Sequence, residues 1–122
     1  FNYASDYQLL GMDINFDDLE PLPLDDPLFS LAKKIVNHVF NGPFNRRIDW
    51  ILGLMDRLKP DGVVYFCQWG CKQSSGGAAM MADALKTKGI PCLVLDGDAA
   101  DRRNMPQGQT KTRVEAFLEM LP

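Results

Sequence analysis

The run Val63-Val64-Tyr65-Phe66-Cys67-Gln68-Trp69-Gly70-Cys71-Lys72-Gln73-Ser74-Ser75-Gly76-Gly77 constrains the fold more than any other stretch of the chain. It opens with β-branched and aromatic residues behind a Pro60-Asp61-Gly62 turn, the pattern of a buried strand ending near Phe66. It closes in small and polar residues that lead directly into Ala78, Met81, Ala82 and Leu85, spaced i, i+3, i+4, i+7 as on one face of a helix. A strand, a turn with two cysteines and a helix N-terminus therefore follow in series. In open α/β sheets, ligands sit beyond the carboxyl ends of strands, facing backbone N–H groups of the next helix. Thiols placed there are well sited for chemistry.

The flanking segments extend the same theme. Asp26-Pro27 suits a helix start, with Leu28, Leu31, Ala32, Ile35 and Val39 as its apolar stripe and Asn41-Gly42-Pro43 as its stop. A second helix places Phe44, Ile48, Ile51, Leu52, Met55 and Leu58 on one face, with Arg46, Arg47, Asp49, Asp56 and Arg57 off it. Beyond Lys88-Gly89-Ile90-Pro91, the short apolar run Cys92-Leu93-Val94-Leu95 predicts a strand of a covered parallel sheet, ending in Asp96-Gly97-Asp98. A last helix from about Thr110 carries Val114, Phe117, Leu118 and Leu121 on one face. The fold class is therefore α/β: a Rossmann-like parallel sheet with flanking helices, a βαβ unit in a single domain over residues 1–122. Residues 1–26 form a partly irregular lead-in, since Pro21 and Pro23 forbid a regular helix; a weak strand near Leu9 is the one candidate there. Two convincing strands are few for a doubly wound sheet, and the chain opens at Phe1 without a Met, so it reads as a piece of a larger α/β domain, or else the segment near Leu9 supplies a third strand.

Composition excludes several classes. The net charge is −3, and Lys and Arg are scattered among acids, so nothing favours nucleic acid. No apolar run approaches the ~20 residues of a membrane span. Three cysteines do not make a disulfide framework in 122 residues; they suit a reducing, cytoplasmic setting.

Three constellations carry candidate chemistry. Cys67 and Cys71 are candidate ligands of zinc or an iron–sulfur cluster, with Trp69 between them as a shield against water. Two thiolates leave any such site incomplete, and the single histidine, His38, lies on the first helix, where a surface role suits it. The alternative is a pair of partly buried thiols beside a core tryptophan. Ser74, Ser75, Gly76 and Gly77 open a helix and would let a ligand approach its backbone N–H groups; simple N-capping by Ser74 or Ser75 is the alternative. Asp96, Asp98, Asp101, Arg102 and Arg103 would bind a polar ligand on the same edge, or else pair with one another in a solvated loop. Cys92, inside a strand, reads as core.

Cys67-Gln68-Trp69-Gly70-Cys71-Lys72-Gln73, Gly89-Ile90-Pro91-Cys92-Leu93-Val94-Leu95-Asp96-Gly97-Asp98 and Gly108-Gln109-Thr110-Lys111-Thr112-Arg113-Val114-Glu115-Ala116-Phe117-Leu118-Glu119 resemble, in order and spacing, the C-terminal part of 2-hydroxyacyl-CoA dehydratase subunits. The 2-hydroxyglutaryl-CoA dehydratase type is nearest, and benzoyl-CoA reductase subunits share its architecture. The resemblance covers the chain from about Asp13 onward. It implies longer subunits of Rossmann-like domains, paired as heterodimers. It also implies an oxygen-sensitive [4Fe–4S] cluster on three cysteines, one of them in the C-terminal domain. The resemblance further implies a separate ATP-hydrolysing iron–sulfur activator that supplies an electron, a ketyl radical of the acyl-CoA thioester that expels the 2-hydroxyl group, and, as the net reaction, radical syn or anti dehydration of a 2-hydroxyacyl-CoA to an enoyl-CoA. Cys71 fits the ligand position best, with Cys67 as second choice. The acyl-CoA site would draw on Trp69, Lys72, Ser74, Ser75, Gly76, Gly77, Asp96, Asp98 and Arg102, and the fragment alone would be inactive. A benzoyl-CoA reductase-type subunit and a non-catalytic scaffold domain are the alternatives; no catalytic acid or base is recognisable.

Overall fold

The computed structural model describes residues 25–36 and 41–122, with all side chains there except those of Lys34 and Arg102. The weak strand near Leu9, most of the irregular lead-in, Val39 and His38 lie outside the described residues. Two compact units divide the chain, Phe1–Leu58 and Lys59–Pro122.

The described part of the first unit consists of α1 (Pro27–Val36) and α2 (Phe44–Leu58). Asp26 caps α1 as expected: its Oδ1 accepts the Phe29 N–H at 3.0 Å, and its carbonyl accepts that of Ser30. The expected apolar stripe is not the buried face. Leu28, Leu31, Ala32 and Ile35 are exposed, and Ser30 is the buried residue. Periodicity defines a stripe but does not dictate which surface meets it. α2 is likewise rotated from expectation. It buries Arg47, Trp50, Leu54 and Met55, while Ile48 and Leu52 are half-buried and Leu58 is exposed. Arg47, expected off the apolar face, stands with its guanidinium carbon 5.9 Å from the Phe44 ring centroid. Its long aliphatic stem lets a charged residue occupy such a position.

The second unit holds β1 (Val63–Gln68), a single-turn α3 (Lys72–Ser75), α4 (Ala78–Thr87), β2 (Cys92–Gly97), a 3-10 turn (Arg102–Asn104) and α5 (Gln107–Glu119). β1 and β2 pair in parallel, with Val63 opposite Cys92, Cys67 opposite Asp96 and Gln68 opposite Gly97. The α/β class and the parallel pair are as the sequence predicts. Both strands run two residues further than expected, so Cys67 lies inside β1 rather than at its tip. α3 and α4 make the crossover; α3 packs on β1, and α4 and α5 pack on β2. Tyr65, Cys67, Met81, Leu85, Leu95 and Phe117 form the buried core of this unit. Met81 and Leu85 are wholly enclosed, each contributing about 1.5–3 kcal/mol of apolar burial. Leu118, expected on the buried face of α5, is 60% exposed, whereas Phe117 is covered. Among the described residues no helix is long and apolar enough to cross a membrane.

Candidate functional site

The parallel pairing brings the cysteine turn and residues 96–98 to one edge of the sheet, as expected. The turn itself is a consequence of glycine. The Cys71 N–H donates to the Gln68 carbonyl at 3.1 Å, and Gly70, third in this four-residue turn, has φ +74°. A left-handed third residue is what a type II turn requires, and glycine alone adopts it without steric cost. The turn delivers Cys71 to the N-cap of α3 in extended conformation, φ −88° and ψ 96°.

The two thiols thus differ sharply. Cys67 is 4% exposed, and its Sγ lies 3.7 Å from the Ser74 carbonyl oxygen, packed under the start of the crossover. Cys71 is half-buried beyond the strand end. α3 is a single unexpected turn between Cys71 and the expected helix, which begins at Ala78 as α4. A single turn sums few peptide dipoles, so position rather than dipole distinguishes the thiols. None of the three cysteines is in a disulfide. Cys92, half-buried at the amino end of β2, has its thiol pKa pushed up, mainly by burial and further by Cys67.

Ser74 and Ser75 do not cap α4. Their hydroxyls donate back to the Cys71 carbonyl at 3.1 and 2.9 Å, joined there by the backbone N–H groups of both residues. Gly77 occupies the N-cap of α4 without any side-chain bond. The serines bond backwards because α3 intervenes, bringing the carbonyl of Cys71 within reach before that of any later residue. Ser74 is buried, and its own carbonyl accepts the Tyr65 hydroxyl at 3.0 Å. Gly76 is required by close approach: a Cβ there would stand 2.7 Å from the Lys72 carbonyl oxygen. Lys72 is exposed.

Across the edge, the Trp69 backbone N–H donates to Gly97 at 2.9 Å and its indole N–H to Asp96 at 3.3 Å; the ring remains 48% exposed. Arg113, on α5, stands 3.7 Å from the Asp96 carboxylate and donates to the Val94 carbonyl at 2.6 Å. Trp69, Asp96 and Arg113, with Pro106, Gln109 and Thr110, enclose a hollow of about 170 Å³. An apolar groove of about 640 Å³ lies between α4 and α5 by the amino end of β2, lined by Ile90, Pro91, Cys92, Leu93, Phe117 and Met120 among others.

Asp98 turns inward to the loop. Its Oδ1 accepts from Gln68 Nε2 at 3.1 Å and Ala100 N–H at 2.9 Å, and its Oδ2 from Asn104 Nδ2 at 2.9 Å. Asn104 first, then Ala100 and Gln68, hold its pKa down at about 2. Asp101 pairs with Arg103 at 2.7 Å, the mutual pairing that is the simpler of the two sequence readings. Arg102 opens the 3-10 turn; its side chain is outside the described atoms. Gln68, Asn104 and Arg113 are the residues that sequence reasoning left without a role. The signal for Asn104 was faint: an Asx turn at Asp98 in a polar loop.

Among the described residues no three His, Cys, Asp or Glu side chains converge to hold a metal ion. The residues present therefore do not fit a complete [4Fe–4S] site; at the carboxyl edge of the sheet Cys71 is half-buried and Cys67 is buried.

The chain is 32% identical over 98 residues to the lactoyl-CoA dehydratase subunit alpha of Anaerotignum propionicum, covering 80% of this chain and 23% of that protein. It is 37% identical over 75 residues to the (R)-2-hydroxyglutaryl-CoA dehydratase subunit alpha of Acidaminococcus fermentans, covering 61% and 16%. It is 30% identical over 97 residues to the (R)-phenyllactyl-CoA dehydratase alpha subunit of Clostridium sporogenes, covering 79% and 23%. The chain thus spans less than a quarter of the length of these relatives. Matched over residues 2–121, it belongs to the family described as 2-hydroxyglutaryl-CoA dehydratase, D-component.

Proposed function

We propose that this chain is part of a 2-hydroxyacyl-CoA dehydratase subunit, a hydro-lyase component, and that Cys71 supplies one thiolate ligand to a [4Fe–4S] cluster completed by residues outside it. The observation that carries the assignment is the contrast between the cysteines. Cys71 stands half-buried past a left-handed glycine at the sheet's carboxyl edge, whereas Cys67 is enclosed against Ser74. A cluster ligand must project beyond the edge. Trp69, half-exposed beside Cys71, would limit water at the cluster's outer side, where exposure shifts a reduction potential.

The same edge supplies part of an acyl-CoA site. Its hollow of about 170 Å³ is smaller than the ~300–1,000 Å³ of a typical ligand pocket, so it would hold a fragment of the thioester. Trp69, Lys72, Asp96 and Arg102 are the contacts expected there; the backbone N–H groups of Ser74, Ser75 and Gly76 already donate to the Cys71 and Lys72 carbonyls. The three relatives are dehydratase alpha subunits, which favours dehydration over benzoyl-CoA reduction and implies a second subunit as partner. An ATP-dependent iron–sulfur activator belongs to the same reading, as does a cytoplasmic location.

The test is a pair of variants in the complete subunit, assembled with its partner under anaerobic conditions. Cys71→Ser is expected to lose iron and turnover, and Cys67→Ser to keep at least part of both. The reverse pattern would overturn the ligand assignment while leaving the family intact.

A further inference from the structure

We infer that Asp98 and Gln68 are positioning residues: together they clamp the turn that carries Cys71 to the loop after β2, and Asp98 is not a ligand-binding residue. The inference rests on the reading of Cys71 given above and specifies how that thiol is held in place.

Gln68 ends β1 and is the first residue of the cysteine turn; its carbonyl receives the Cys71 N–H. Both ends of its side-chain amide are engaged across the edge. Nε2 donates to Asp98 Oδ1 at 3.1 Å, and Oε1 accepts the Ala99 N–H at 2.7 Å. With both amide ends fixed, the side chain can neither rotate nor flip without breaking a bond. Asp98 is fixed in turn by Ala100 and Asn104. Each carboxylate oxygen thus already accepts an internal hydrogen bond, which leaves little capacity for a substrate donor. The depressed pKa agrees, because it arises from these internal donors. The Trp69 N–H bond to Gly97 adds a backbone tie. The turn preceding Cys71 is therefore located by the β2 loop, 30 residues away in sequence.

A clamp and a ligand contact differ in what they require of residue 98. A clamp needs acceptors of the right shape, which asparagine supplies: its oxygen can serve Gln68 and Ala100, and the Asn104 amide can turn to accept from its nitrogen. A contact to a cationic or donor ligand needs the charge. The experiment uses the complete subunit with its partner, stripped of iron anaerobically, and follows iodoacetamide alkylation of Cys71 and Cys92 by peptide mass spectrometry. Asp98→Ala and Gln68→Ala are each expected to change the Cys71 rate by at least about threefold, the scale of one lost hydrogen bond, with Asp98→Asn within about twofold of the parent. The Cys92 rate, read at the other end of the sheet, is expected to stay constant.

An unchanged Cys71 rate in both alanine variants overturns the inference. So does a parallel change at Cys92, which would mark general loosening, and so does an Asp98→Asn that behaves like Asp98→Ala. Gln68→Ala tests the link from the other side should Asp98→Ala fail to fold. Because these rates are measured without a cluster, they judge the clamp independently; the iron content of Cys71→Ser judges the ligand reading.

Discussion

Tyr65 and Ser74 are joined by a buried hydrogen bond: the phenol donates to the Ser74 carbonyl at 3.0 Å. This bond ties the middle of β1 to the third residue of the single-turn helix that follows Cys71. The Cys67 thiol, two residues along β1, points at the same carbonyl. Tyr65→Phe keeps the ring and removes the strong donor, leaving the thiol as a weak one. The expected cost is about 0.5–1.5 kcal/mol, measured as a lowered urea midpoint at unchanged slope.

Gly70 offers a cleaner backbone test. Its φ is +74°, and a Cβ built there would meet nothing within 4 Å. Any penalty for Gly70→Ala is therefore conformational, about 1–2 kcal/mol for placing an L-residue in the left-handed region. Gly70→Asn should cost visibly less, since asparagine tolerates that region. Chemical denaturation of the two variants checks the order; equal stabilities would remove the turn from the account of how Cys71 is placed.

What was legible in the sequence was what local pattern encodes. Val63 to Phe66 and Cys92 to Leu95 announce strands because β-branched and aromatic residues fit a pleated, covered surface, and a helix between them forces parallel pairing. The spacing of Met81 and Leu85 marked two side chains that are wholly enclosed. Faces that depend on a distant neighbour were not legible. α2 buries Arg47 and Trp50 rather than Ile48 and Leu52 because the packed surface selects among overlapping apolar arcs. α3 escaped notice because four residues contain no period. At the site, residue type showed that Asp98 is polar and near the edge. Its engagement with Gln68 and Asn104 is a tertiary fact that no local pattern encodes.

Asp98 also predicts a pH dependence. Its carboxyl is held at about 2 in the folded chain, against an ordinary 3.8. The unfolded chain therefore binds the proton first as pH falls. The stabilisation is fully present above 3.8 and is lost progressively as pH drops through about 2. Between these values stability rises with pH, and Asp98→Asn should flatten that slope. Denaturation midpoints of parent and variant across this window isolate the contribution, because the other carboxylates are common to both. Parallel curves would show that Asp98 titrates alike in the folded and unfolded chains.

The last prediction concerns iron. The 122-residue chain prepared alone, and treated anaerobically with iron and sulfide, is expected to hold far less than one [4Fe–4S] cluster per chain. The reason is the placement of its thiols. Cys92 lies opposite Val63, four residues before Cys67 on β1. That places it at the opposite end of the strand pair from the turn that carries Cys71. Cys67 is enclosed and directed at the Ser74 carbonyl, so freeing it would open the core around Tyr65. Cys71 remains, and one thiolate cannot retain a cluster type that is ordinarily held by four cysteines. In the complete subunit the same cysteine would meet ligands contributed from elsewhere, and iron should then track residue 71. Iron and acid-labile sulfide assays on the isolated chain decide the matter. A stoichiometric cluster there would require Cys67 and Cys71 to ligate together, and β1 would have to release its buried thiol to do so.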